Sequence, residues 1–212
     1  MSGNNAGVGF ANPTPAGLVA LAMACFTFFA LLTGRVDHSS LPIMGFWLLG
    51  GFIVQIVTGI IELREGNLPG GNIFTWFSAF FMFTTGCVFL LEYFGYSFGW
   101  HMNPAIEGWA WMALSISLIL WTPAYLKAPL YLFVAILIMD VACPMLTLMK
   151  LGMLAPTVAP IIGWLILVAG SLGLWLGACI IVNTTFGRQV YPCPGPIIQA
   201  TEAAQPQNSI KA

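Results

Sequence analysis

The chain has 212 residues, of which 59% are hydrophobic and 6% charged, with six Lys/Arg against seven Asp/Glu. A soluble domain carries roughly 25% charged residues, so a mean hydropathy of +0.91 belongs to a chain solvated by lipid rather than water. With a net charge of -1 and no block of like charges, nucleic acid and anionic surfaces are excluded as partners.

Ionisable residues punctuate long neutral runs, each close to or longer than the ~20 residues a helix needs to cross the hydrocarbon. The chain is uncharged up to Arg35, and the first helix is expected over 14–34. The second is expected over 41–62, ending on Glu62, Arg64 and Glu65; the third over 72–94; the fourth over 105–126; the fifth over 129–149; the sixth over 156–183. Barrel strands would alternate polar and apolar residues, and these runs do not. The expected fold is all-α, a polytopic membrane protein with six transmembrane helices.

The expected organisation is an N-terminal segment 1–12, a helical domain 13–185 and a cytoplasmic tail 186–212, mobile beyond Pro192. No basic n-region precedes the first helix, which is therefore read as retained. Arg64, Lys127, Arg188 and Lys211 fall on one side of the membrane and Arg35 and Lys150 on the other. This bias puts both termini inside, in the cell (inner) membrane. The loops leave no room for a soluble catalytic domain, and the reading is of a non-enzyme without a cofactor. Cys25, Cys87, Cys143, Cys179 and Cys193 have no paired or metal-ligand spacing and read as small packing residues. His38 and His101 fall in loops on one face; they do not amount to a metal site, and none is expected.

Asn12-Pro13 opens the first helix, where Asn is a good cap and Pro forfeits an N–H that has no helical partner. Pro15 and Gly17 go beyond what a cap needs. Two readings stand: a well-built helix start, or an irregular first turn whose N–H groups and dipole are open to an anion. Gln55 is either a donor on a permeation path or interhelical glue. Gly50, Gly51 and Gly59, and Gly170, Gly173 and Gly177, mark helix-contact seams. Tyr93, Tyr96, Trp100, Trp109, Tyr125 and Tyr131 read as interfacial belts.

Asn103-Pro104-Ala105 opens the fourth helix. Both Asn-Pro pairs start full-length spans rather than half-helices, which argues against a water-channel arrangement. A 3+3 inverted repeat, helices 1–3 against 4–6, is the alternative to a chance pair of caps. Asp140, in the middle of the fifth helix, is too costly there to be unpaired. It is a proton-coupling candidate, or a protonated side chain bonded to a neighbouring helix.

Three segments carry a resemblance. Asn12-Pro13-Thr14-Pro15-Ala16-Gly17-Leu18 is similar to the Asn-Pro-Ala-Pro-Leu-Gly-Leu signature of the acetate uptake transporter family, the succinate/acetate transporter relatives. Gly50-Gly51, Gln55, Gly59, Glu62 and Gly66-Asn67 follow in the order of that family's second block, and Phe186-Gly187-Arg188 with Pro192 resembles its closing motif. The resemblance implies a six-helix protomer, a homohexamer in the bilayer, and a path in each protomer for acetate and other short mono- or dicarboxylates, as a proton-coupled carrier or an anion channel. It also implies an apolar constriction at Leu21, Phe77 and Met139. Ala16 in the signature, Leu68-Pro69-Gly70-Gly71 after the second block, and Ile180 where a Glu is expected depart from the pattern.

No span carries an Arg or Lys, so an anion would have to be met by partial charges: the turn formed by Asn12, Pro13, Thr14, Pro15 and Gly17, the Gln55 amide, and the hydroxyls of Thr58 and Thr75. The alternative of another class is a non-transporting hydrophobic scaffold in a larger membrane complex.

Overall fold

The structure is a computed structural model and describes residues 9–199. Six helices are long and apolar enough to cross a membrane. They are α1 (Thr14–Leu32), α2 (Leu41–Arg64), α3 (Leu68–Phe98), α4 (Ala105–Lys127), α5 (Leu130–Lys150) and α6 (Pro156–Phe186). No strand occurs among the described residues. The protein is an integral, all-helical membrane protein, and all six expected spans are present.

The boundaries differ from the sequence expectation where local chemistry overrides hydropathy. Helix α3 starts at Leu68, four residues early, although Pro69-Gly70-Gly71 has the composition of a turn. Asn67 caps it by accepting from the Gly70 N–H at 3.2 Å, and Pro69 sits in the first turn, where a missing N–H costs nothing. Helix α4 tightens into a 3-10 segment over Thr122–Lys127. Gly99 and Gly187 end α3 and α6 with φ of 66° and 61°, a backbone that glycine adopts freely.

Inside a bilayer, helices associate by close packing rather than by escape from water, so small residues at contacts matter. Helix α1 lies against α6, where a Cβ added at Gly170 would stand 2.4 Å from the Cys25 Cβ. Gly173 and Gly177 face Leu18 and Pro15 along the same seam. Gly45 of α2 and Gly86 of α3 pack so closely that a Cβ on either would approach the other's carbonyl oxygen to within 2.9 Å. Gly51 and Gly59 are contact residues as expected, whereas Gly50 faces open space.

Within α3, Phe77–Thr84 is π-helical. The wider turn is consistent with the Thr84 and Thr85 hydroxyls donating five residues back, to Ala79 and Phe80. This segment keeps Phe77, Ser78, Phe81 and Met82 buried. Phe77 packs against Trp76 (4.4 Å between ring centroids) and Phe81 (5.4 Å), and Phe81 in turn stacks on Phe28 of α1.

Two expectations are corrected. The stretch 193–199 beyond Pro192 is tied to the bundle, the Leu130 N–H donating to the Pro194 carbonyl and the Ile198 N–H to that of Leu126, and before it Asn183 is bonded to the Val190 and Tyr191 backbone. The rest of the expected tail, 200–212, and most of the N-terminal segment lie outside the described residues. Tyr125 is buried rather than interfacial, its hydroxyl donating to the Pro69 carbonyl at 3.1 Å. The five cysteines are free thiols.

Candidate functional site

A narrow cavity of about 60 Å³ runs between five of the six helices. At ~10–15 Å³ per water, it has room for a few solvent molecules. Helix α1 contributes Thr14, Leu18, Leu21 and Cys25; α2 contributes Gln55 and Glu62; α3 and its cap contribute Asn67, Gly70, Ile73, Phe74 and Phe77. Leu132, Ala135, Ile136 and Met139 of α5 and Ala169 and Gly173 of α6 complete the wall. The structure thus brings Leu21, Phe77 and Met139, from three different helices, to one cavity. Larger hollows exist on the outer surface, between α1 and α2 and around Trp100, but they are open to the surroundings.

The polar end of the cavity is made by helix ends. The Asn12 side chain accepts from the Thr14 N–H at 2.9 Å, and the Ala16 and Gly17 N–H groups both turn to the Pro13 carbonyl, at 3.1 and 3.4 Å. Pro13 and Pro15 have no N–H to give. The first turn of α1 therefore has its N–H groups engaged, which favours the well-built helix start over the turn open to an anion. The Asn103-Pro104 start of α4 repeats this geometry, with Asn103 accepting from the Ala105 N–H at 3.0 Å and Pro104 accepting from Glu107 at 3.1 Å.

What α1 presents to the cavity is the Thr14 hydroxyl, and its partner is Glu62. Glu62 is only 4% exposed. One of its carboxylate oxygens accepts from the Thr14 hydroxyl and the other from the Asn67 side-chain amide. The Asn67 amide is oriented by its own oxygen, which takes the Gly70 N–H. Gly70 is a requirement of this contact, since a Cβ there would come within 3.0 Å of the Glu62 Oε2 and 2.4 Å of the Asn67 amide nitrogen. Among the described residues the ion pairs are those of Lys150 with Glu107 (2.6 Å) and Glu92 (3.5 Å), so Glu62 is held by neutral donors.

Gln55 is fully buried in the same wall. Its amide nitrogen donates to the Gly17 carbonyl at 3.3 Å, and its Oε1 has no partner. Gln55 joins α2 to α1 through that bond, as the interhelical reading has it, and the residue also lines the cavity. Gly17 serves as acceptor and as close contact, because a Cβ there would stand 2.6 Å from the Phe74 ring.

The remaining expected site residues lie elsewhere. The Thr58 hydroxyl donates to Val54 within its own helix, and the Thr75 hydroxyl to Gly71 and Asn72. Their methyl groups pack on Gly17 and Gly59, and neither residue lines the cavity. Asp140, next to Met139, is not in the wall either; its Oδ2 accepts from the Thr122 hydroxyl at 2.6 Å, and its Oδ1 has no partner. Pro144 also removes the helical partner of the Asp140 carbonyl. At the opposite end of the bundle from Glu62, the Ser39 hydroxyl and N–H hold the Asp37 carboxyl below its usual range, both donating to Oδ1. No group of three or more His, Cys, Asp or Glu among the described residues could hold a metal ion.

Two residues of the polar end, Glu62 and Asn67, are absent from the sequence-derived site. The signal was present, since both belong to the second block; Glu62 had been read as the charge that ends a span. Residues 4–194 match the GPR1/FUN34/yaaH family. The chain belongs to that family. It is 25% identical over 189 residues to the succinate-acetate/proton symporter SatP of Escherichia coli (strain K12), covering 86% of this chain and 94% of that protein. The SatP of Shigella flexneri matches with the same identity and coverage. Among solved structures, the bacterial acetate channel SatP superposes with a TM-score of 0.75 at 24% identity, over 87% of this chain and 99% of that one, and supports the six-helix fold.

Proposed function

We propose that this protein lets acetate and other short carboxylates cross the membrane through the cavity between α1, α2, α3, α5 and α6. The single observation that carries the reading is that Leu21, Phe77 and Met139, far apart in sequence, line one narrow cavity with Thr14, Gln55 and Glu62 at its polar positions. An apolar throat with neutral donors at Thr14 and Asn67 suits passage, because each donor replaces part of a hydration shell without binding so tightly that the substrate cannot leave. The wall contains no Lys, Arg or His among the described residues, so no fixed cation traps the substrate. Membership of the family, and the printed activities of the SatP relatives, support acetate and succinate as the substrate class and proton coupling as one mode.

The same reading takes the protein to be a transporter rather than an enzyme, a homohexamer with one path per protomer, and a resident of the cell membrane with both termini inside. Six spans bring the two ends of the bundle domain to one side, and Arg64, Lys127 and Arg188 lie at that side. The experiment is uptake of labelled acetate by proteoliposomes containing only this chain, at pH 7.5, where roughly one acid molecule in a thousand is neutral and leaks through lipid. Uptake above that of empty liposomes, competed by two- to four-carbon carboxylates, supports the proposal. Uptake at the empty-liposome level from a well-folded preparation contradicts it.

A further inference from the structure

A buried carboxylate without a cation partner is expensive, because the charge gives up water and receives only neutral dipoles in return. Glu62 is such a group, and it is not in an arbitrary place. It stands where α1 and α3 both begin, with a Thr14 hydroxyl on one oxygen and an Asn67 amide on the other. Gly70 leaves the space for it, and the Gly70 N–H fixes the Asn67 amide so that its nitrogen faces the carboxylate. A free carboxylate of two or three carbons has the same two oxygens and the same need for one donor on each.

Nothing else in the cavity wall offers a side-chain donor of this quality. The Gln55 nitrogen is committed to Gly17, and the first-turn N–H groups of α1 are engaged. The Gln55 Oε1, fully buried and unpartnered in the same cavity, is a second sign that the wall is incomplete without a guest, for a lone buried acceptor calls for water or an acid O–H. We propose that the Glu62 carboxylate occupies the protein's own carboxylate-binding position, and that an incoming substrate takes over the Thr14 and Asn67 hydrogen bonds by displacing it. The inference rests on the permeation reading and adds to it the residue that competes with substrate at the polar end of the path.

Displacement makes the observed affinity smaller than the intrinsic one by the fraction of time the Glu62 side chain is out of the position. Removing the side chain removes that competition. Glu62→Ala, in effect, excises a short carboxylic acid from the cavity and leaves its donors behind.

The test is thermal melting of the purified full chain in detergent, against sodium acetate, with sodium chloride at equal ionic strength and acetamide as a neutral isostere. Glu62→Ala is expected to melt lower than wild type and to recover several degrees, saturably, with acetate or formate; chloride and acetamide should do little. Wild type should respond weakly, its site being filled. Equal responses to acetate and acetamide, or no recovery, would overturn the proposal and leave Glu62 as a staple joining three helices. Should Glu62→Ala fail to fold, Glu62→Gln keeps the shape, and its weaker, neutral acceptor should yield to substrate more easily. Labelled acetate should then bind about tenfold more tightly than to wild type; unchanged or weaker binding would overturn the proposal. Wild-type uptake in proteoliposomes, measured in parallel, tests the permeation reading separately. A chain that transports but whose Glu62→Ala form is not rescued would sink only the role of Glu62.

Discussion

Replacing Phe77 by alanine is the perturbation whose consequences the structure defines best. The ring is 4% exposed, lies at the first residue of the π segment, and is pinned edge-on by Trp76 and Phe81. Truncation removes roughly 100 Å³ of side chain, and at ~24 cal/mol per Å³ of residual cavity this costs about 2–3 kcal/mol if the neighbours stay in place. The cavity, now about 60 Å³, would widen at Phe77. That volume has two readouts. Thermal melting in detergent should show the destabilisation, with no hydrophobic transfer term added, because the reference state of a membrane helix is lipid and not water. Proteoliposome uptake should show weaker discrimination against four-carbon dicarboxylates relative to acetate. Phe77→Leu, which keeps much of the volume, should fall between. A folded Phe77→Ala protein with the wild-type substrate profile would refute the assignment of Phe77 to the throat, and with it the use of this cavity as the path.

Gln55→Leu removes the bond to the Gly17 carbonyl and the lone Oε1 together; acetate uptake should drop about tenfold, the effect of one lost polar contact at ~1.4 kcal/mol, while unchanged uptake would make Gln55 structural only. Asp140→Asn keeps an acceptor for the Thr122 hydroxyl and lies outside the cavity wall, so the uptake profile between about pH 5 and 8 should match wild type; a flattened profile would put Asp140 in the proton step after all. Gly170→Val forces a side chain to where the Cys25 Cβ would be 2.4 Å away, and should destabilise by about 1–3 kcal/mol, with Cys25→Gly in the same chain restoring part of the melting temperature.

The six spans were legible because a helix in lipid needs nothing more than length and an apolar run, and charges at Arg35, Glu62, Arg64, Glu92, Lys127, Lys150 and Arg188 mark their ends. The true start of α3 was hidden because Pro69-Gly70-Gly71 breaks helices in most settings and is here rescued by the Asn67 cap. The π segment has no hydropathy signature; it is a matter of register, visible only once Phe77, Phe81 and Met82 must face inward together. At the site, the apolar positions Leu21, Phe77 and Met139 followed from the family resemblance, and folding brings them to one wall. The polar positions were legible only in part. A Thr or Gln in a span can bond its own helix or a neighbour, and the choice depends on what lies opposite: Thr14 meets Glu62, whereas Thr58 and Thr75 turn back on their own backbone. In the sequence Glu62 stands with Arg64 and Glu65 as the charges that end the second span, yet the helix turns it inward while they face out.

The central claim is that acetate crosses between Leu21, Phe77 and Met139, and filling that space tests it most directly. Leu21→Trp puts a bulky ring into a cavity of about 60 Å³, on the side of α1 that meets Gly173 of α6. In proteoliposomes matched for protein content, and with the variant shown to melt cooperatively, labelled acetate uptake should fall to that of empty liposomes. Uptake by Leu21→Trp at the wild-type rate would mean that the substrate takes another route.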